Sequence, residues 1–96
     1  MTLMKNPSHP GEVLKELYLD PLGLSPIAIA RRLHVPRTRI ERLVRGDTAV
    51  TADTAMRLAT FFRTTPEYWM NMQRAWDLAR ARDRIDVSDI TPLETA

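Results

Sequence analysis

The sequence predicts one all-α domain of five short helices, and three observations carry that prediction. Apolar residues recur at helical spacing, as in Ala55, Leu58, Ala59 and Phe62. The segments Ser25-Pro26, Thr51 and Thr65-Pro66 place capping hydroxyls directly ahead of periodic stretches. Seven prolines and three glycines among 96 residues suit short helices with sharp boundaries. That length accommodates one domain, and 44% apolar with 27% charged residues is ordinary globular usage, against a disordered chain. Without cysteine there can be no disulfide, thiolate metal site, iron–sulfur cluster or cysteine nucleophile. The longest clean apolar run, Ile27-Ala28-Ile29-Ala30, is far below the ~18 residues of a membrane span. The start of the chain lacks a basic-then-apolar signal pattern. The expectation is a soluble, cytoplasmic protein.

The elements follow in order. Residues 1–8 read as a loose arm. A first helix is expected from Pro10 to Leu19, with Val13, Leu14, Leu17 and Tyr18 inward, His9 as its cap, and Asp20-Pro21 as its stop. Ser25 caps a second helix over about 26–33 that buries Ile29, Ala30 and Leu33. After His34-Val35-Pro36 a third helix spans about 37–45 and ends at Gly46 as a left-handed cap. Thr51 opens a fourth over about 52–62, with Asp53 near its positive end. Thr65-Pro66 opens the fifth and longest, about 66–84, with the stripe Trp69, Met72, Ala75, Trp76 and Ala79. Residues 9–84 thus form the domain. In the tail, residues 85–96, the alternation Ile85, Val87 and then Ile90 leaves room for a short strand over 86–90.

The net charge of +2 conceals an uneven distribution. Residues 31–45 hold six arginines (Arg31, Arg32, Arg37, Arg39, Arg42, Arg45) against one acid, Glu41, a local +5 on an otherwise acidic chain. Such an island fits a phosphate-binding surface; a merely solvated helix face is the competing reading. Guanidinium adds planar, bidentate recognition of phosphate and guanine. In the third helix Ile40, Leu43 and Val44 cluster on one side, so Thr38, Arg42 and Arg45 point the other way, with Arg37 and Arg39 on the flanks.

Two short helices joined by a tight turn, the second basic on its free side, make a helix-turn-helix, whose second helix enters the major groove of DNA. Ala30 is small where the two helices cross, Val35 anchors the turn, and Ile40 and Leu43 bury the reading helix. Histidines 9 and 34 read as a cap and a turn residue. The chain lacks an HExxH, a Gly-rich phosphate loop and a placed catalytic triad, which argues against an enzyme and against a metal or other cofactor.

From residue 9 to about 78 the chain resembles the HigA-type antitoxins, a branch of the phage-repressor-like (XRE) helix-turn-helix family. The resemblance rests on His9-Pro10-Gly11-Glu12, Leu22-Gly23-Leu24-Ser25, Val35-Pro36-Arg37 and the Ile40, Leu43, Gly46 spacing. It continues through the run from Thr51 to Ala59, then Pro66-Glu67-Tyr68-Trp69, Met72-Gln73 and Asp77-Leu78. It implies a five-helix, lambda-repressor-like domain that dimerises on a palindromic operator, represses its own operon and neutralises a small HigB-like mRNA-cleaving toxin. It puts Arg37, Thr38 and Arg42 on base edges, and Ser25, the Ile27 N–H, Arg39, Arg45 and Thr48 on phosphates or flanks. Pro26 stands where many repressors of the wider family have a glutamine, and Arg45 where an asparagine is common before the glycine. Trp69, Met72 and Trp76 read first as core, and a small domain has limited room for them. With Val87 from the tail they are therefore candidates for a homodimer interface, where such side chains are enriched. The alternatives are a stand-alone XRE-type regulator without a toxin, and a helical interaction module whose arginines serve solubility.

Overall fold

Five helices organise residues 6–94, the part of the chain that the computed structural model describes. Helix α1 covers 10–22 in three pieces, an α-helical start Pro10–Val13, a wide π-helical turn Leu14–Leu19 and an α-helical end Asp20–Leu22. The His9 ring caps it, Nδ1 accepting the Gly11 N–H at 2.9 Å. Contrary to expectation, Asp20-Pro21 does not stop this helix. The wide turn moves the ladder to i−5 bonds, with the Asp20 N–H on the Lys15 carbonyl, and a proline without N–H is carried inside. The helix ends instead at Gly23, left-handed at φ 65°, with the Leu24 N–H on the Leu19 carbonyl at 2.9 Å. The extra residue per turn also changes the buried face. Leu14 and Leu19 are interior, and Leu17, expected inward, is 65% exposed.

Helix α2, Pro26–Leu33, starts at Ser25, whose Oγ accepts the Ala28 N–H at 3.1 Å. It ends with His34 left-handed at φ 60° and the Val35 N–H on the Ala30 carbonyl. Helix α3, Arg37–Val44, ends as expected at Gly46, φ 80°, with the Asp47 N–H on the Arg42 carbonyl. Helix α4, Ala52–Phe62, is capped by Thr51 and closed by Arg63 at φ 59°. Helix α5, Pro66–Arg84, is capped by Thr65.

The core gathers Leu14 and Leu19 from α1, Ile29, Ala30 and Leu33 from α2, Ile40 and Leu43 from α3, Ala55, Leu58 and Ala59 from α4, and Trp69 from α5. Tyr18, Phe62 and Trp69 stack at one end, with ring centres 4.7 and 5.3 Å from Tyr18. Burial and the Tyr68 hydroxyl push Tyr18 up to about 12, so it stays a neutral donor to Tyr68 at 3.0 Å. The loop before α4 is tied down from α5: the Val50 N–H donates to Gln73 Oε1 at 2.7 Å, and Gln73 Nε2 donates to Asp77 at 2.9 Å.

The strand foreseen over 86–90 is absent; no strand occurs among the described residues. Residues 85–94 leave α5 exposed and turn once, with the Ser88 N–H on Asp86 Oδ1 and the Ile90 N–H on the Val87 carbonyl. The short apolar alternation has no sheet edge to pair with, and a lone strand is not stable in water. Of the expected N-terminal arm, residues 1–5 lie outside the described part, and 6–8 precede α1 without regular structure.

Candidate nucleic-acid interface

Helices α2 and α3 cross closely because a small residue, Ala30, sits at the contact and is almost wholly buried. Ile29 and Leu33 from one helix and Ile40 and Leu43 from the other seal the crossing, and Val35 is half-buried in the turn. A second close approach fixes α3 from behind. A Cβ on Gly11 would fall inside the Leu43 carbonyl, so only glycine lets α1 touch the α3 backbone. The reading helix is thus held by its apolar side, and its opposite side faces outward. Arg37, Thr38 and Arg42 are exposed, and no ion pair engages either arginine among the described residues. Thr38, Arg39 and Arg42 border an open groove of about 360 Å³ whose far wall is the loop Thr48, Ala49 and Thr51.

The arginine island is less free than its composition suggests. Arg39 Nη1 is bonded to Asp53 Oδ2, and Arg57 Nε lies 3.1 and 3.2 Å from the two oxygens of the same carboxylate. The two guanidinium groups, Arg39 foremost, hold the Asp53 carboxyl below the usual range. Arg57 also donates to the Leu33 carbonyl at the end of α2, at 2.9 Å. Arg39, expected as a phosphate or flanking contact, therefore already has an anion. Arg45 has one too, in Asp47 at 3.1 Å, and Arg32 lies over the Phe61 ring, 5.2 Å from its centre. Asp53 and Arg57 are an i, i+4 pair visible in the sequence, but their junction with Arg39, fourteen positions away, is not.

The remaining expected contacts lie around this surface. Ser25 is exposed, and because its hydroxyl takes the Ala28 N–H, the Ile27 N–H is the one in that turn left without a protein partner among the described residues. Thr48 is exposed. His9 was legible as a cap; its larger role was not. The ring is 7% exposed, meets Trp76 edge-on at 5.1 Å and lies beside Gly46, so it joins α1, the end of α3 and α5. Burial lowers its pKa against the opposing pull of the Thr48 backbone, Asp77 and Glu12.

The residues expected at a dimer interface separate. Trp69 is fully buried and its indole N–H donates to Thr64 Oγ1 at 2.9 Å, so it is a core residue with no surface to offer a second copy. Met72 is half-buried against the core, Trp76 half-buried with Arg80 over its ring, and Val87 exposed.

The family profile described as helix-turn-helix matches residues 14–69, which span α2, the turn and α3. Antitoxin HigA-1 of Vibrio cholerae is 38% identical over 80 residues, 83% of this chain and 75% of its own length. The chain belongs to the helix-turn-helix family, in its HigA-type antitoxin branch. Virulence-associated protein I of Dichelobacter nodosus is 48% identical over 88 residues, 91% of this chain and 82% of that one. The Pseudomonas aeruginosa antitoxin HigA, solved with the higBA promoter, superposes with a TM-score of 0.83 at 35% identity, covering 93% of this chain and all of that one. This HigA-type chain keeps the helix-turn-helix frame with Pro26 at the first position of α2, where the ring costs no hydrogen bond. Its family consists of DNA-binding regulators and antitoxins, not enzymes. No described helix is long and apolar enough to cross a membrane.

Proposed function

We propose that the chain is the antitoxin of a two-gene toxin–antitoxin module, binding operator DNA through α3, repressing its own operon and neutralising a HigB-like mRNA-cleaving toxin. The observation that carries this reading is the free, exposed set Arg37, Thr38 and Arg42 on a helix whose other side is locked into the core. Arg37 and Arg42 each suit a bidentate contact to guanine, worth about 1–3 kcal/mol of discrimination. Thr38 offers a methyl to thymine or a hydroxyl to phosphate. Ser25, the Ile27 N–H, Arg45 and Thr48 approach the sugar–phosphate backbone, and Arg39 flanks the reading positions. The domain in this role is 9–84, with 1–8 as an arm and 85–96 as a tail.

A single α3 covers half of a palindrome, so the working unit is a homodimer with its two reading helices about 34 Å apart. Met72, Trp76 and Val87 are its proposed contacts; the apolar exposure of Leu78, Ile85 and Val87 beyond the core supports an interface there. The protein acts in the cytoplasm, on the nucleoid.

The test is a titration of DNA from upstream of the chain's own gene, and of a scrambled duplex of equal length, across a salt series. Arg42→Ala should lower affinity for the upstream DNA selectively. Arg45→Ala should weaken both duplexes alike, and only slightly, since Asp47 already offsets its charge. Equal loss on both duplexes for Arg42→Ala would refute base reading. Salt-independent binding would refute the DNA interface and favour an interaction module. Native mass spectrometry of the protein expressed with its neighbouring genes separates an antitoxin from a stand-alone regulator.

A further inference from the structure

We propose that Asp53 is a built-in counterion of the reading helix, cancelling Arg39 so that the surface engages fewer phosphates than its arginines would allow. This rests on the DNA-binding reading above and concerns the sequence-independent part of that binding. Asp53 is the second residue of α4, where the helix's positive end favours a carboxylate. It is fixed by two guanidinium groups at once, Arg39 from α3 and Arg57 from α4, and Arg57 is itself anchored on the Leu33 carbonyl of α2. An isolated exposed ion pair is weak and exchanges its partners readily. A carboxylate bound by guanidinium groups from α3 and α4, one of them anchored on α2, is a fixed charge on Arg39, which borders the groove with Thr38 and Arg42.

The consequence lies in the salt dependence. A free arginine that neutralises a phosphate releases a counterion from the DNA, which steepens the fall of log K with log salt by about 0.9 per contact. Asp53 shares its one negative charge between Arg39 and Arg57, so the cluster carries a single net positive charge, and an arginine held on a carboxylate of its own protein adds no such increment. Asp53 thus holds down binding to bulk DNA and leaves Arg37 and Arg42, which have no acidic partner among the described residues, to do the reading. Bulk DNA competes in vast excess over any operator, so weaker non-specific affinity leaves more protein free to find its site.

The experiment is a scrambled-duplex titration of wild type, R39A, D53N and D53N/R39A at 50–200 mM salt, with thermal melts to establish that each is folded. R39A is expected to leave the wild-type slope unchanged. D53N should steepen it by about 0.9, an extra loss of about 3.5-fold over that salt range, and adding R39A should return the slope to the wild-type value. A flatter slope in R39A alone places Arg39 on a phosphate already and overturns the proposal, whether or not D53N folds. So does a D53N slope that is unchanged, or equally steep with and without Arg39, since that is loss of a repulsive charge or release of Arg57 and not release of Arg39. Absence of salt-dependent binding by the wild type is a different failure, that of the DNA reading itself.

Discussion

Helices α3 and α5 sit at opposite extremes of how a helix is held. The eight residues of α3 bury Ile40 and Leu43 almost completely, touch α1 through Gly11 and are closed by Gly46. The nineteen residues of α5 bury only Trp69 and Gln73, both in its first half. Past Gln73 the helix and its tail expose Leu78, Ile85, Val87, Ile90 and Leu93. A short helix with one free polar side is positioned from several directions; a long one is pinned at one end. The difference separates a surface made for geometry from one whose apolar groups stay uncovered among the described residues. Rigid placement matters where base edges are read, because a helix that shifts loses its bidentate contacts.

Mutations should tell the two helices apart. Trp69→Ala should cost the most, about 3–5 kcal/mol in urea denaturation, since it empties the one deep anchor of α5. Gly11→Ala should cost about 3 kcal/mol, because the Leu43 carbonyl occupies the space of the new methyl; it should also weaken DNA binding by displacing α3. Gln73→Leu leaves the buried Val50 N–H without an acceptor, for a loss of about 1–3 kcal/mol.

A smaller effect is expected from pH. The folded-state pKa of His9 lies below its unfolded value of 6.5, so the unfolded chain binds more protons in the interval between them. Stability should be complete above that value and decline as the pH falls through it, with a melting temperature lower at pH 5.5 than at 7.5. The His9→Asn variant should lose that dependence and keep a cap. Smallest is Leu78→Ala, within about 0.5 kcal/mol for the isolated chain. A Leu78→Ala loss as large as that of Trp69→Ala would show that the far half of α5 is core after all.

Helix starts and ends were legible in local chemistry. Ser25, Thr51 and Thr65 cap where their hydroxyls predict, and Gly46 closes α3 within a residue of the expected end. The inward faces of α2 and α4 followed from spacing alone, because in a regular helix the angle between residues is constant. That rule failed in α1, where the π turn changed the angle, exposed Leu17 and buried Leu19, and carried the chain past Pro21. No local signal marked that turn, since it is the packing of Leu14, Tyr18 and Leu19 that rewards it. The left-handed ends at His34 and Arg63 were likewise invisible, as neither is glycine.

For the candidate site, residue type and order were enough to mark the basic helix, its apolar anchors and the outward arginines, because these depend on spacing within a single element. Which of those arginines carry a usable charge depended on where other elements bring their acids. Asp53 reaches Arg39 from α4, whereas Asp47 reaches Arg45 from only two positions away, and Arg37 and Arg42 meet none among the described residues. Coulomb interaction is set by distance through space, and only the folded chain brings Asp53 at the start of α4 within reach of Arg39 on α3. The same holds for Trp69 and Trp76: one residue type and one stripe, but a core anchor near the start of α5 and a half-open ring further along, divided by how far the rest of the fold reaches.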